Sequence, residues 1–306
     1  MALKIKRKET VRHAVRRIGR RLAANALKSL RDCDTLEAVH EVRKDIKQAR
    51  ALLRLAQRDL KSRACRRVTK KLKKTASVLA PSRDAFVKAS ALAELTSHYK
   101  SDISGRGLEG IRRVLAKDCR KEQRKLPRDL KRSRRMLKKI CRDFRSIDAA
   151  SGGWKVIGPG IKRSYRAGRR ANRLARKTDA PEDFHEWRKN AKDLRYQVTF
   201  LCGVWPEQMN ALEAELDRLG DYLGDAHDLT VLTARETLKQ LANQPREKIE
   251  MLKALAGRRQ KELHTKALRL GAKLYHERSV SFCQRLHQYW RKWRHKIVGP
   301  AQATAQ

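Results

Sequence analysis

The chain has 306 residues, with 76 Lys and Arg against 33 Asp and Glu and a formal charge of +43, so it repels itself strongly unless a polyanion such as nucleic acid, an anionic membrane surface or a phosphate polymer neutralises it. That length holds one large core or two ordinary domains. No stretch approaches the ~20 apolar residues of a bilayer span, the N-terminus has no apolar signal core, and six widely spaced cysteines form neither a CxxC pair nor a zinc-finger cluster, which leaves a soluble, cytoplasmic protein as the expectation.

Apolar residues recur at three- and four-residue steps almost throughout, with only 15 Gly and 7 Pro and no strand alternation, so the fold class is all-α, built from long helices. The first basic helical pattern carries Arg17, Arg21, Lys28 and Arg31 on one face. A second begins at "HEVRKDIKQAR", residues 40–50, and "LAPSRDAFV" follows at 79–87. "SDISGRG" (101–107) reads as a stop. A long pattern over 109–147 then sets Arg113, Lys117, Lys121, Arg124, Arg128, Lys131, Arg135, Lys138, Arg142 and Arg145 opposite Ile111, Leu115, Leu126, Leu130, Leu137, Ile140 and Phe144. Such a stripe suits either solvent or a polyanion. Pro127, Pro181 and Pro206 each mark a kink or a helix start. The Gly/Ser/Pro-rich stretch "AASGGWKVIGPG" reads as a linker at 149–160, dividing the chain into halves 1–148 and 161–306.

The second half repeats the first. At an offset of 145, residues 17–50 lie on 162–195 without a gap, matching Arg21/Arg166, Ala26/Ala171, Arg31/Arg176, Asp34/Asp179, Glu37/Glu182, His40/His185, Glu41/Glu186, Arg43/Arg188, Lys44/Lys189, Lys47/Lys192 and Arg50/Arg195. Arg17/Lys162 and Lys28/Arg173 keep the charge. At an offset of 144, "LAPSRDAFV" lies on "LGDAHDLTV" (223–231).

With His40 placed at 0° on a helical wheel, Lys44 falls at about 40°, Lys47 at about 340°, Arg43 at about 300° and Arg50 at about 280°. Val42, Ile46, Ala49 and Leu53 form the opposite, apolar stripe, and Trp187, Ala191, Leu194 and Val198 repeat it. Rows of cations at helical spacing suit a chain of phosphates, because Arg offers a planar fork of donors and Lys a compact charge. A merely solvated face has no reason to keep the same residue types at the same steps in two copies. His40 and His185 do not begin a zinc site, since Lys44 and Lys189 stand where the second His of HExxH belongs. Hydrogen bonding at an anion site is their expected role.

Catalytic patterns are weak. Asp221, Asp225 and Asp228 share a helical face near His227, but only Asp228 has a counterpart, Asp84, and pairing with basic side chains is the expected role. There is no phosphate-binding GxxxxGK[ST] loop and no GxSxG elbow. Nonspecific nucleic-acid binding stays open as the alternative, although 5% aromatic residues make a poor base-stacking platform.

The motif H-x-x-R-[KR]-x-x-[KR]-x-[LA]-R at 40–50 and 185–195, Tyr196 in "LRYQ" and "LGDAHDLTVL" together resemble the CHAD family of histidine-bearing α-helical domains. The resemblance covers nearly all of the chain. It implies two pseudo-twofold-related four-helix bundles with long, kinked helices around a central basic surface, and inorganic polyphosphate as the ligand. It also implies the contacts: His40, Arg43, Lys44, Lys47, Arg50, His185, Arg188, Lys189, Lys192 and Arg195, joined from the preceding helices by Arg17, Arg21, Lys28, Lys162, Arg166 and Arg173. Pro81 and Ala85 depart from the family pattern. The chain resembles the stand-alone, granule-associated members, without a triphosphatase domain, so no catalysis, cofactor or metal is expected.

Overall fold

The computed structural model describes residues 3–32, 36–56, 63–102, 107–147 and 152–295. Eleven α-helices account for most of them: α1 (Val11–Asp32), α2 (Leu36–Leu55), α3 (Arg63–Val78), α4 (Ala80–His98), α5 (Glu109–Asp143), α6 (Trp154–Thr178), α7 (Pro181–Leu201), α8 (Pro206–Leu232), α9 (Arg235–Gln240), α10 (Arg246–Leu274) and α11 (Ser279–His295). No strand occurs among the described residues, and the fold is all-α.

The apolar stripes decide how the helices pack. Val42, Ile46, Ala49 and Leu53 on α2, and Trp187, Ala191, Leu194 and Val198 on α7, are all at most 3% exposed, which leaves the cationic side of each helix free of the core. α1 packs on α2 and α6 on α7, and then α2 meets α7 and α4 meets α8, so matching helices of the two copies adjoin. One apolar core runs from Ile5 to Trp290 through both halves; a second joins the C-terminal parts of α4 and α8 to α5 and α10.

Helix starts follow proline where expected at Pro181 and Pro206, whose missing N–H falls among the unpaired donors of a first turn. Pro127 neither ends nor restarts α5, which runs through it for 35 residues with Leu126 and Leu130 buried on either side. Asp179 turns the chain from α6 into α7 in the left-handed region at φ 51°, a conformation Asp tolerates better than most residues. Its repeat partner Asp34, like Cys33, lies outside the described residues. The middle of the stop at 101–107, residues 103–106, and the first part of the stretch read as linker, residues 149–151, lie outside them too.

The rest of that stretch is different from the reading. α6 begins at Trp154, so Gly158, Pro159 and Gly160 are helical and largely buried. The reason is close approach: a Cβ on Gly160 would stand 1.9 Å from the carbonyl oxygen of Leu55, where α6 crosses the end of α2. Since backbone cannot yield as a flexible side chain does, Gly160→Ala should cost about 3 kcal/mol and lower the melting temperature by roughly 6 °C or more, measured by circular dichroism.

Candidate functional site

A cavity of about 900 Å³ opens between α2, α4, α7, α8 and α10. His40, Arg43, Lys44 and Lys47 line it from the first copy of the motif, and Arg188, Lys192 and Arg195 from the second. The repeat thus contributes both copies to one concave surface. Arg83 of α4 and Arg259 of α10 complete the basic lining, and Glu94, Asp217, Asp221, Asp225 and Asp228 form an acidic margin.

The cations are crowded and unevenly compensated: Arg195 pairs with Glu213 and Asp217, Arg259 with Glu262 and Lys44 with Glu41, whereas Lys47 and Lys192 have no ion pair among the described residues. Arg188, with its side chain 11% exposed, has Asp228 at 4.0 Å, and its buried Nε has no hydrogen-bond partner. Arg83 donates to Asp228 Oδ1 at 3.2 Å and to Asp84 Oδ1 at 3.1 Å, and Arg43 donates to the Ala76 carbonyl at 2.6 Å. Gly220 and Gly224 bring the α8 backbone alongside the Lys192 and Arg188 side chains. Burial, with Lys192, Arg188, Arg83 and Arg43 nearby, lowers Lys47 to about 7. Lys192 falls to about 8 through burial and Arg188. The cavity holds positive charge that its own acids do not neutralise.

The histidines differ between copies. His40 is on the cavity wall, its pKa lowered by burial. His185 is off that wall, with its Nδ1 3.1 Å from Nδ1 of His227. Burial and then Arg188 push His227 down to about 3, and burial lowers His185 too, which favours the neutral form of both rings and lets one donate to the other. In the first copy Arg83 occupies the position equivalent to His227, so the substitution in "LAPSRDAFV" turns a neutral ring into a cation.

The remaining residues of the predicted set are elsewhere. Arg50 is half-buried beside Arg54, which pairs with Asp193. Lys189 is exposed and pairs with Glu186 at 2.8 Å. Arg166 lines a separate groove with Arg163 and Arg170. Lys28 and Arg173 are exposed, Arg21 and Lys162 half-buried, and none of the four lines the cavity. Arg17 grips Glu9 through Nε at 2.7 Å and donates to the Lys4 carbonyl at 2.8 Å, fastening the N-terminal segment to α1. Burial alone would raise Glu9, but Arg17 and the Lys6 N–H hold its carboxylate below the usual range. Arg17→Ala strands this buried carboxylate, so chemical denaturation should show a loss of about 2–3 kcal/mol above pH 5 that shrinks as acid protonates Glu9.

Asp228 pairs with basic side chains as the sequence suggests, whereas Asp221 has no ion pair among the described residues and neither has Asp225. Burial, Glu94 and the neighbouring aspartates raise it to about 6. No group of three or more His, Cys, Asp or Glu among the described residues is arranged to hold a metal ion. Arg83 and Arg259 are the lining cations that the sequence did not single out. Arg83 was visible only as a departure from the repeat, and Arg259 has no repeat partner to signal it.

A profile of the CHAD domain matches residues 13–236. The crystal structure of the CHAD domain from the plant Ricinus communis superposes with a TM-score of 0.67 at 17% identity, over 90% of this chain and 95% of that one. PptA from Streptomyces chartreusis superposes with a TM-score of 0.59 at 14% identity, over 93% of this chain and all of that one. At these identities the two structures speak to the fold. No curated protein matches the sequence. With the profile spanning most of the chain and both copies of the His-Arg motif, the protein belongs to the CHAD domain family.

Proposed function

We propose that the protein binds inorganic polyphosphate in the central cavity without turning it over, at polyphosphate granules in the cytoplasm. The observation that carries this reading is the convergence of His40, Arg43, Lys44 and Lys47 with Arg188, Lys192 and Arg195 on one concave surface. A strand of linked phosphates supplies closely spaced negative charge, fits between facing helices and needs no base recognition. The two halves then act as pseudo-twofold bundles, each offering one basic edge to the same strand. Asp228, already engaged by Arg83, serves as an internal counter-ion.

The test is a competition titration of long-chain polyphosphate against DNA and RNA at roughly 150–200 mM salt, where screening weakens nonspecific contacts. Neither DNA nor RNA should displace polyphosphate from the cavity, and charge reversal at Arg43, Lys47, Arg188 and Lys192 should abolish polyphosphate binding there. Nucleic acid retained while polyphosphate dissociates would overturn the reading. So would phosphate release in the presence of Mg²⁺ that depends on Asp221, Asp225 and Asp228.

A further inference from the structure

The cavity leaves the most basic stretch of the chain unused. α3 has seven Lys and Arg and no acid, and α5 has fifteen basic to five acidic residues, yet neither helix gives a residue to the cavity. The two helices pack together, with Lys71 and Arg67 of α3 reaching Asp143 of α5 at 2.5 and 3.5 Å.

Their cations face outward. On α5, Arg128, Lys131, Arg135, Lys138 and Arg142 are exposed opposite the buried Leu126, Leu130, Leu137 and Ile140. On α3, Lys70, Lys73 and Lys74 are exposed opposite Val68 and Leu72. Four of the five acids of α5 are engaged elsewhere, Glu109 by Arg112 and Arg113, Asp118 by Lys88, Glu122 by Lys125 and Asp143 by Lys71, which leaves Asp129 alone without an ion pair among the described residues. None of the five cations on the outer row of α5 has an acidic partner among the described residues.

We propose that the outer face of α3 and α5 is a docking surface for double-stranded nucleic acid, gripped through its phosphates. Length and composition favour a duplex over a single strand. α5 is about 52 Å long, a span in which a duplex carries roughly 30 phosphate charges. Packed helices lie about 8–10 Å apart, so α3 and α5 offer exposed cations on two adjoining helices instead of one enclosed channel. Neither helix contains a Phe, Tyr, Trp or His, so the face has nothing on which unpaired bases could stack. Contacts to phosphate alone give affinity without sequence preference. This surface stands or falls independently of the cavity reading.

The experiment compares two charge-reversed proteins by fluorescence anisotropy over a range of salt. One carries Lys70→Glu, Arg128→Glu, Arg135→Glu and Lys138→Glu on the outer face; the other carries Lys47→Glu and Lys192→Glu in the cavity. Probes are a DNA duplex of about 30 base pairs, a single strand of equal length, and long-chain polyphosphate. The face variant should lose duplex affinity by roughly 50-fold or more, with a salt slope shallower by about 3 to 4, while polyphosphate affinity stays within about threefold. The cavity variant should show the reverse. Duplex binding unchanged in the face variant, duplex binding lost in the cavity variant, or tighter binding of the single strand than of the duplex would each overturn the proposal. All four face positions are exposed, so folding is expected to survive, and their glutamine versions provide a milder series should charge reversal disturb it.

Discussion

Reversing Lys47 and Lys192 together should cut polyphosphate affinity about a thousandfold, measured by calorimetry at constant salt. Each ammonium gives up a charge-assisted contact with phosphate of about 1.5–3 kcal/mol, and each introduced carboxylate repels the ligand as well. The two residues come from opposite copies of the motif and line one cavity, so neither half compensates for the other. Reversal of Lys28 and Arg173, exposed and away from the cavity, should change affinity by no more than about threefold, as expected for distant surface charge. Asp228→Asn should act in the opposite direction. Removing the carboxylate that Arg83 engages at 3.2 Å releases two guanidinium groups to the ligand, and affinity should rise up to about tenfold.

The pH dependence should be as large. In the free protein Lys47 is lowered to about 7 and Lys192 to about 8, whereas polyphosphate prefers both charged and raises them on binding. At pH 7 Lys192 is already mostly protonated; at pH 9 both must take up a proton before they contribute. Affinity should therefore fall by roughly several hundredfold between pH 7 and pH 9, and at pH 8 binding should draw about one to two protons from the buffer, visible as a buffer-dependent heat. Lys47→Arg combined with Lys192→Arg should flatten the profile, because a guanidinium stays charged throughout. Stability of the unliganded protein has the other sign. Both lysines are depressed below their unfolded value of 10.5, so their contribution disfavours the fold at low pH and fades as pH rises from about 7 towards 10. A binding profile indifferent to pH would show that the lysines do not meet the ligand.

The helices were readable because burial imposes a period. Val42, Ile46, Ala49 and Leu53 announce a core-facing stripe whatever they touch, and the repeat identifies its copy on α7. Charge on the opposite side carries no such address. Arg17 and Lys47 look alike on a helical wheel, but Glu9 claims the first, and only the meeting of α2 with α7 sends the second into the cavity. Glycine misleads for a related reason. Gly160 reads as linker because a sequence does not show that the backbone of Leu55 lies against it. Arg83 was masked by its own register, since it replaces His227 and so breaks the pattern that the comparison of halves rewards.

The continuity of the main core has a consequence for how the molecule comes apart. Ile18, Leu22 and Leu52 share one apolar body with Tyr165, Trp187 and Leu216, and Gly160 lets the backbones of the two repeats touch. A duplicated sequence invites the picture of two modules that melt one after the other. Here loss of either half strips the apolar cover from its twin, so heating should produce a single cooperative transition in which calorimetric and van't Hoff enthalpies agree.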